Sequence, residues 1–113
     1  MKTIIAGSRS ITSIKTVRKA IDASNLTVTE VVSGGARGVD SLGEKWASHN
    51  HIPVKRFIAD WNRHGRSAGP IRNRQMADYA DALIAIWDGE SRGTKNMIGQ
   101  AAAKGLVVYV HRI

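Results

Sequence analysis

Ten residues of this chain have the types and order of an anion site: Val31-Val32-Ser33-Gly34-Gly35-Ala36-Arg37-Gly38-Val39-Asp40. An apolar strand runs into a glycine-rich turn, and the turn runs into a helical pattern. Backbone N–H groups point outward at such a junction, and the helix dipole favours negative charge there. Gly34, Gly35 and Gly38 permit positive φ and close approach of a ligand, and Arg37 adds a fixed positive fork. The expected chemistry is a cradle for the phosphate of a nucleotide, with the backbone of Gly34, Gly35, Ala36, Arg37 and Gly38 as its wall. The alternative is that the glycines serve only a tight strand-to-helix turn.

Two further turns are of the same kind. Gly7-Ser8-Arg9-Ser10 follows a first apolar segment, and Asp88-Gly89-Glu90-Ser91-Arg92-Gly93-Thr94 follows the apolar Ala82–Trp87. Gly7, Ser8, Arg9, Asp88, Gly89, Ser91, Gly93 and Thr94 therefore join the candidate ligand-binding residues, with Arg72 from a later helix. A bidentate arginine–phosphate contact is strong and geometrically selective. Asp88 either binds a ribose hydroxyl or shapes its turn. Asp40, at the start of a helix, compensates the dipole. Trp61 either stacks on a base or sits in a polar loop, Trp87 packs in the core or walls the site, and Trp46 lies on a core-facing helix stripe. His49, His51, His64 and His111 lack metal-ligand spacing. No metal and no cofactor is implied, and no residue is assigned a catalytic role.

The elements that must position these residues alternate. Strands are expected at about Lys2–Ala6, Val28–Ser33, Val54–Ile58, Ala82–Trp87 and Leu106–Val110. Helices are expected from Ser13 to about Ala23, over Val39–Asn50, from Gly69-Pro70 to about Tyr79, and over about Lys95–Lys104, with Gly105 as the last one's cap. Ala59–Gly69 reads as a long irregular polar loop carrying Trp61, Arg63, His64 and Arg66, and Arg72 and Arg74 fall in or near the first turn of the helix after it. Continuous apolar strands suit burial on both faces. The expected fold is one α/β Rossmann-like domain over residues 1–113, a five-stranded mainly parallel sheet with helices on both faces. In such a sheet the turns after the first four strands converge on one edge, where ligands bind.

Composition bounds the rest. The chain of 113 residues carries 17 Lys and Arg against 9 Asp and Glu, a formal net charge of +8, which points to an anionic partner. Between Lys45 and Arg74 lie Lys55, Arg56, Arg63, Arg66 and Arg72 against one acid, Asp60. Such a patch meets nucleic acid, a phosphorylated small molecule, or only water. No apolar run is long enough to span a membrane, and the first strand is too short for a signal-peptide core, so a cytoplasmic protein is expected. Without cysteine there are no disulfides or thiolate metal sites.

These motifs, together with Gly69-Pro70-Ile71-Arg72-Asn73-Arg74-Gln75-Met76, resemble the SLOG superfamily of Rossmann-like domains, and within it the small YspA-like branch. The superfamily includes the cytokinin-activating phosphoribohydrolases and the DNA-uptake protein DprA. The resemblance implies a nucleotide-derived ligand, a homo-oligomer, and a bacterial or phage source. In the phosphoribohydrolases a Gly-Gly-x-Gly-Thr motif holds the phosphate of a nucleoside monophosphate. A glutamate three residues after that threonine, with an arginine from the preceding helix, serves cleavage of the N-glycosidic bond. Gly93-Thr94 match that motif and Arg72 has the arginine's spacing, but Met97 stands at the glutamate position. A sensor or sequestering module for a nucleotide or nucleotide-derived small molecule is therefore the first expectation. A nucleoside monophosphate N-glycosidase (with Asp88, Glu90 or Asp60 as substitute carboxylate) and a nucleic-acid-binding module are the alternatives.

Overall fold

A computed structural model describes all of residues 1–113. Five strands, β1 (Lys2–Gly7), β2 (Glu30–Ser33), β3 (Val54–Arg56), β4 (Ala82–Trp87) and β5 (Val107–Arg112), form one sheet in the order β3-β2-β1-β4-β5. Every pairing is parallel, with Ile4 opposite both Val32 and Leu83 in register. The helices are α1 (Ile14–Ser24), α2 (Val39–His49), the short α3 (Trp61–His64), α4 (Ala68–Tyr79) and α5 (Arg92–Ala103).

Strand alternation decides which helix goes where. Ile5, Val31, Ile84 and Ile86 meet Val17, Ala20 and Ile21 of α1 and Val39 and Ala47 of α2. Ile4, Ala6, Val32, Leu83 and Ala85, one residue out of phase, meet Met76, Ala77 and Ala80 at α4 and Met97 and Ala101 of α5. Both faces are thus covered, which is why the central strands β1 and β4 read as continuous apolar runs. At Gly43 a Cβ would lie 3.0 Å from the Ile5 side chain, so the missing side chain sets how closely α2 approaches β1.

Several expected bounds are corrected, α5 among them, which begins at Arg92 and not Lys95. β2 begins at Glu30 and not Val28, and β3, an exposed edge strand, stops at Arg56, with the Phe57 N–H still donating to Ser33 O. The expected loop 59–69 is instead ordered as α3 and a 3-10 turn, Gly65–Ser67, that feeds α4. Asp60 caps α3 by accepting the Arg63 N–H, a local signal sufficient for one helical turn. Since α4 already begins at Ala68, Pro70 is its third residue and Arg72 lies in its second turn. β5 runs two residues beyond Val110 because Arg112 pairs with Trp87. Gly105, at φ +76°, ends α5 in the left-handed conformation expected of its cap.

Candidate functional site

Strand order reverses between β1 and β4, and a cavity of about 600 Å³ opens there, at the carboxyl ends of the strands. Ligands bind at this position in open parallel sheets, and the volume is that of an ordinary small-ligand pocket. Its wall is built from the turn after β1 (Ser8–Ser10), the first turn of α5 (Arg92–Thr94), the start of α2 (Ala36 and Asp40), and α3 with the first half of α4.

The turn after β1 is stapled through its backbone. The Ser8 N–H donates to Ile86 O, and Ser8 O accepts from Ile11 and Val39 N–H. The Ser8 hydroxyl is left over. It belongs to a cavity-lining residue only 2% exposed, and it is the one buried side-chain polar atom without a hydrogen-bond partner. A buried hydroxyl without a partner is costly, so a ligand acceptor or donor there would relieve it. Across the cavity, α5 opens with Ser91 as its cap. Ser91 Oγ accepts the Thr94 N–H and Ser91 O the Lys95 N–H, while the N–H groups of Arg92 and Gly93 meet no acceptor in the protein. Free N–H groups at the positive end of a twelve-residue helix favour negative charge there. Gly93 has no protein atom within 4 Å of where a Cβ would stand, so its backbone is open to approach.

The glycine turn after β2 is partly engaged within the protein. Two of its N–H groups are taken inside the protein, Gly35 donating to Ser33 Oγ and Ala36 to Asp40 Oδ2, while those of Gly34, Arg37 and Gly38 meet no acceptor. Its glycines answer packing demands. A Cβ at Gly38, where φ is +75°, would lie 2.5 Å from Ser8 O, and one at Gly34 would lie 2.5 Å from the Arg72 guanidinium. Of the five residues expected to wall the phosphate from this turn, only Ala36 reaches the cavity; Gly34, Gly35, Gly38 and the exposed Arg37 do not. Gly89 is also outside it, held at φ +85° against the Arg112 side chain. Gly7, Ser8, Arg9, Arg72, Asp88, Ser91, Gly93 and Thr94 are brought together in its wall.

Arg72 is tethered within the protein. Its Nη1 donates to Gly34 O at 2.7 Å and its Nε to Asn73 Oδ1 at 3.0 Å. Asn73, itself buried, donates onward to Gly93 O and Asn96 Oδ1. These bonds tie the turn after β2 to the first turns of α5, so the pair acts as a strut beneath the cavity. Burial lowers the Arg72 pKa, opposed by the nearby Asp40 charge. Asp40, 7% exposed, is pushed above the usual carboxylate range by burial, which outweighs the Ala36 N–H and the Arg72 charge. Asp40 is thus a buried wall residue and more than a dipole partner. Asp88 moves the other way. Its Oδ1 accepts the N–H groups of Ser91 and Glu90, each at 2.8 Å, and these hold it below the usual range. The Ser8 hydroxyl adds a smaller lowering without reaching hydrogen-bond geometry. Asp88 therefore both shapes its turn and lines the cavity.

Among the expected alternatives, Trp61 lines the cavity and is 51% exposed. Trp87 packs on its own turn, its indole N–H donating to Ser91 O and the Arg112 guanidinium lying over its ring. Met97, 1% exposed, belongs both to the core and to the cavity wall, and the cavity's carboxylates are Asp40 and Asp88, not Asp60 or Glu90. Asn73, Asn96, Arg66 and Arg92 were not expected at the site; Asn73 and Arg92 adjoin Arg72 and Gly93 in the motifs quoted above, which is the signal that pointed to them. No group of three His, Asp or Glu side chains comes together to hold a metal ion. No helix is long and apolar enough to cross a membrane.

A parallel β3-β2-β1-β4-β5 sheet with a polar cavity at its reversal defines a Rossmann-like α/β ligand-binding domain. The family model described as "YspA, cpYpsA-related SLOG family" matches residues 1–64, and the chain belongs to that family. The gene 61 protein of Mycobacterium phage D29 is 36% identical over 84 residues, spanning 69% of this chain and 67% of that protein. The X-ray structure of DNA processing protein A (DprA) from Streptococcus pneumoniae matches with a TM-score of 0.75 and 20% identity, covering 96% of this chain and 49% of that one. The chain thus spans about half the length of that protein, and the likeness is one of fold. The family is that of a nucleotide- or nucleic-acid-related binding module.

Proposed function

We propose that this protein binds a nucleotide or nucleotide-derived small molecule as a sensor or sequestering module, with the phosphate held between the turn after β1 and the N-terminus of α5. The observation that carries the reading is the pairing, across one cavity at the sheet's reversal, of the partnerless Ser8 hydroxyl with the free N–H groups of Arg92 and Gly93. Arg9 and Arg92 supply charge at the same wall, and Arg72 and Asn73 hold the two turns in place. A calorimetric panel of nucleoside monophosphates, ADP-ribose and a short single-stranded oligonucleotide tests it, with the ligand recovered and checked for breakage. Saturable binding of one intact nucleotide supports the reading. Binding of the oligonucleotide alone, weakening steeply with salt, replaces it with a nucleic-acid-binding module. The homo-oligomer implied by the resemblance is read from sedimentation of the same sample.

A second reading has one observation in its favour. Asp40 and Asp88 share the cavity in environments that move their pKa values apart, the pattern of an acid–base pair. In that reading protonated Asp40 delivers a proton to the departing base and ionised Asp88 steadies the oxocarbenium-like sugar before water adds. Ribose 5-phosphate and free base appearing from a nucleoside monophosphate, and lost in Asp40→Asn, support it; an intact nucleotide excludes it.

A further inference from the structure

We infer that Trp61 is the platform on which the base of the bound nucleotide stacks, and that the site takes nucleosides with little preference among bases. The inference rests on the nucleotide reading above and adds the second half of the site. The chain has three tryptophans, and two are accounted for by packing: Trp46 against the core between α1 and α2, and Trp87 on its own turn. Trp61 is not. It sits on a four-residue helix that contributes no buried residue, and it leaves half of the largest apolar side chain in solvent.

Its placement is specific nonetheless. Asp60 caps the turn that carries it, and the far edge of the indole, Cη2, lies 3.3 Å from where a Cβ on Gly69 would stand. Gly69, buried at the start of α4, gives the ring its seat. The ring and the turns proposed to hold the phosphate line one continuous cavity, with Pro70 and Arg66 in the same wall. A phosphate end and an aromatic end in one pocket match the two ends of a nucleoside phosphate. Stacking on an indole is tolerant of sequence because every base has a π-face. The aromatic side chain in this wall is Trp61, so this end offers one stacking surface and suits a single base.

The test is calorimetric titration of the wild type, Trp61→Ala and Trp61→Phe with AMP, CMP and ribose 5-phosphate. Trp61→Ala should weaken AMP and CMP by about 5- to 150-fold, the range for one lost base–aromatic stack. It should leave ribose 5-phosphate unchanged, since that molecule has the phosphate and no base. Trp61→Phe should recover most of the loss. Because the side chain is half exposed and outside the core, the variants should fold, which circular dichroism checks. Unchanged AMP and CMP binding in Trp61→Ala overturns the stacking inference alone. An equal loss for ribose 5-phosphate overturns it too, since the ring would then only shape the cavity. A wild-type preference for AMP over CMP above about 100-fold overturns the base tolerance. If the wild type binds none of the three, this inference falls, and the nucleotide reading falls with it only if the ADP-ribose of the panel above is not bound either.

Discussion

Replacing Gly93 by alanine should raise stability and lower affinity at once. Gly93 is the second residue of α5, is exposed, and has a backbone conformation open to any residue; a Cβ there meets no protein atom within 4 Å. In the free protein the substitution only removes backbone entropy from the unfolded chain, a gain of about 0.5–1 kcal/mol. For a domain of this size that is a rise in melting temperature of roughly 2–5 °C. In the complex the new methyl group stands beside the N–H that is to meet the phosphate. Loss of one charge-assisted hydrogen bond costs about 1.5–3 kcal/mol, or roughly 10- to 150-fold in Kd. Thermal melts of the ligand-free variant and calorimetry with the nucleotide selected by the panel read the two effects separately. A lower melting temperature would show that the site is not open as described. A higher one with unchanged affinity would refute Gly93 as part of the phosphate cradle.

Gly38→Ala should instead destabilise by at least about 2 kcal/mol, seen as a lower urea midpoint, because φ is +75° and the Cβ collides with the immobile Ser8 carbonyl. Arg72→Ala should cost about 2 kcal/mol of stability as well as affinity, since it removes donors to Gly34 O and Asn73 Oδ1; Arg72→Lys, lacking the planar fork, should restore little of it. Asp40 should make the protein less stable as pH rises. Its folded pKa is raised by burial, so the folded state holds the extra proton between the ordinary carboxylate value and the raised one, and stability falls through that window. Unfolding curves of the wild type and Asp40→Asn across pH should therefore diverge on going up from acid, with the wild type declining; parallel curves would refute the burial of that charge.

Most of the fold was legible locally. Continuous apolar runs such as Ala82–Ile86 can only be strands covered on both faces, and glycine-bearing turns after them restrict the connections to short strand-to-helix junctions. Parallel order and the shared edge follow from that alternation, because right-handed crossovers leave few other arrangements. Segment 59–69 was misread because its order comes from a single Asp60 cap and a 3-10 turn, which carry no apolar periodicity. The site was legible as an edge and as a set of motifs, which also placed Ser8, Arg9 and Gly93 at the cavity.

Residue types and order by themselves determined that phosphate-sized, glycine-bearing turns stand at one end of a parallel sheet, with basic residues among them. Only the tertiary structure decided which turns are open. Gly34, Gly35 and Gly38 look like the better cradle, but they lie where α2, α4 and the turn after β1 converge; there Ser33, Asp40 and Arg72 take up the Gly35 and Ala36 N–H groups and the Gly34 carbonyl, and only Ala36 reaches the cavity. The unpartnered N–H groups of cavity-lining residues are at α5 and the orphaned hydroxyl at Ser8, because hydrogen-bond satisfaction depends on neighbours distant in the chain. The half-exposed Trp61 over Gly69 is a fact of the same kind: its type is in the sequence, but its seat in the cavity wall exists only once α3 lies against α4.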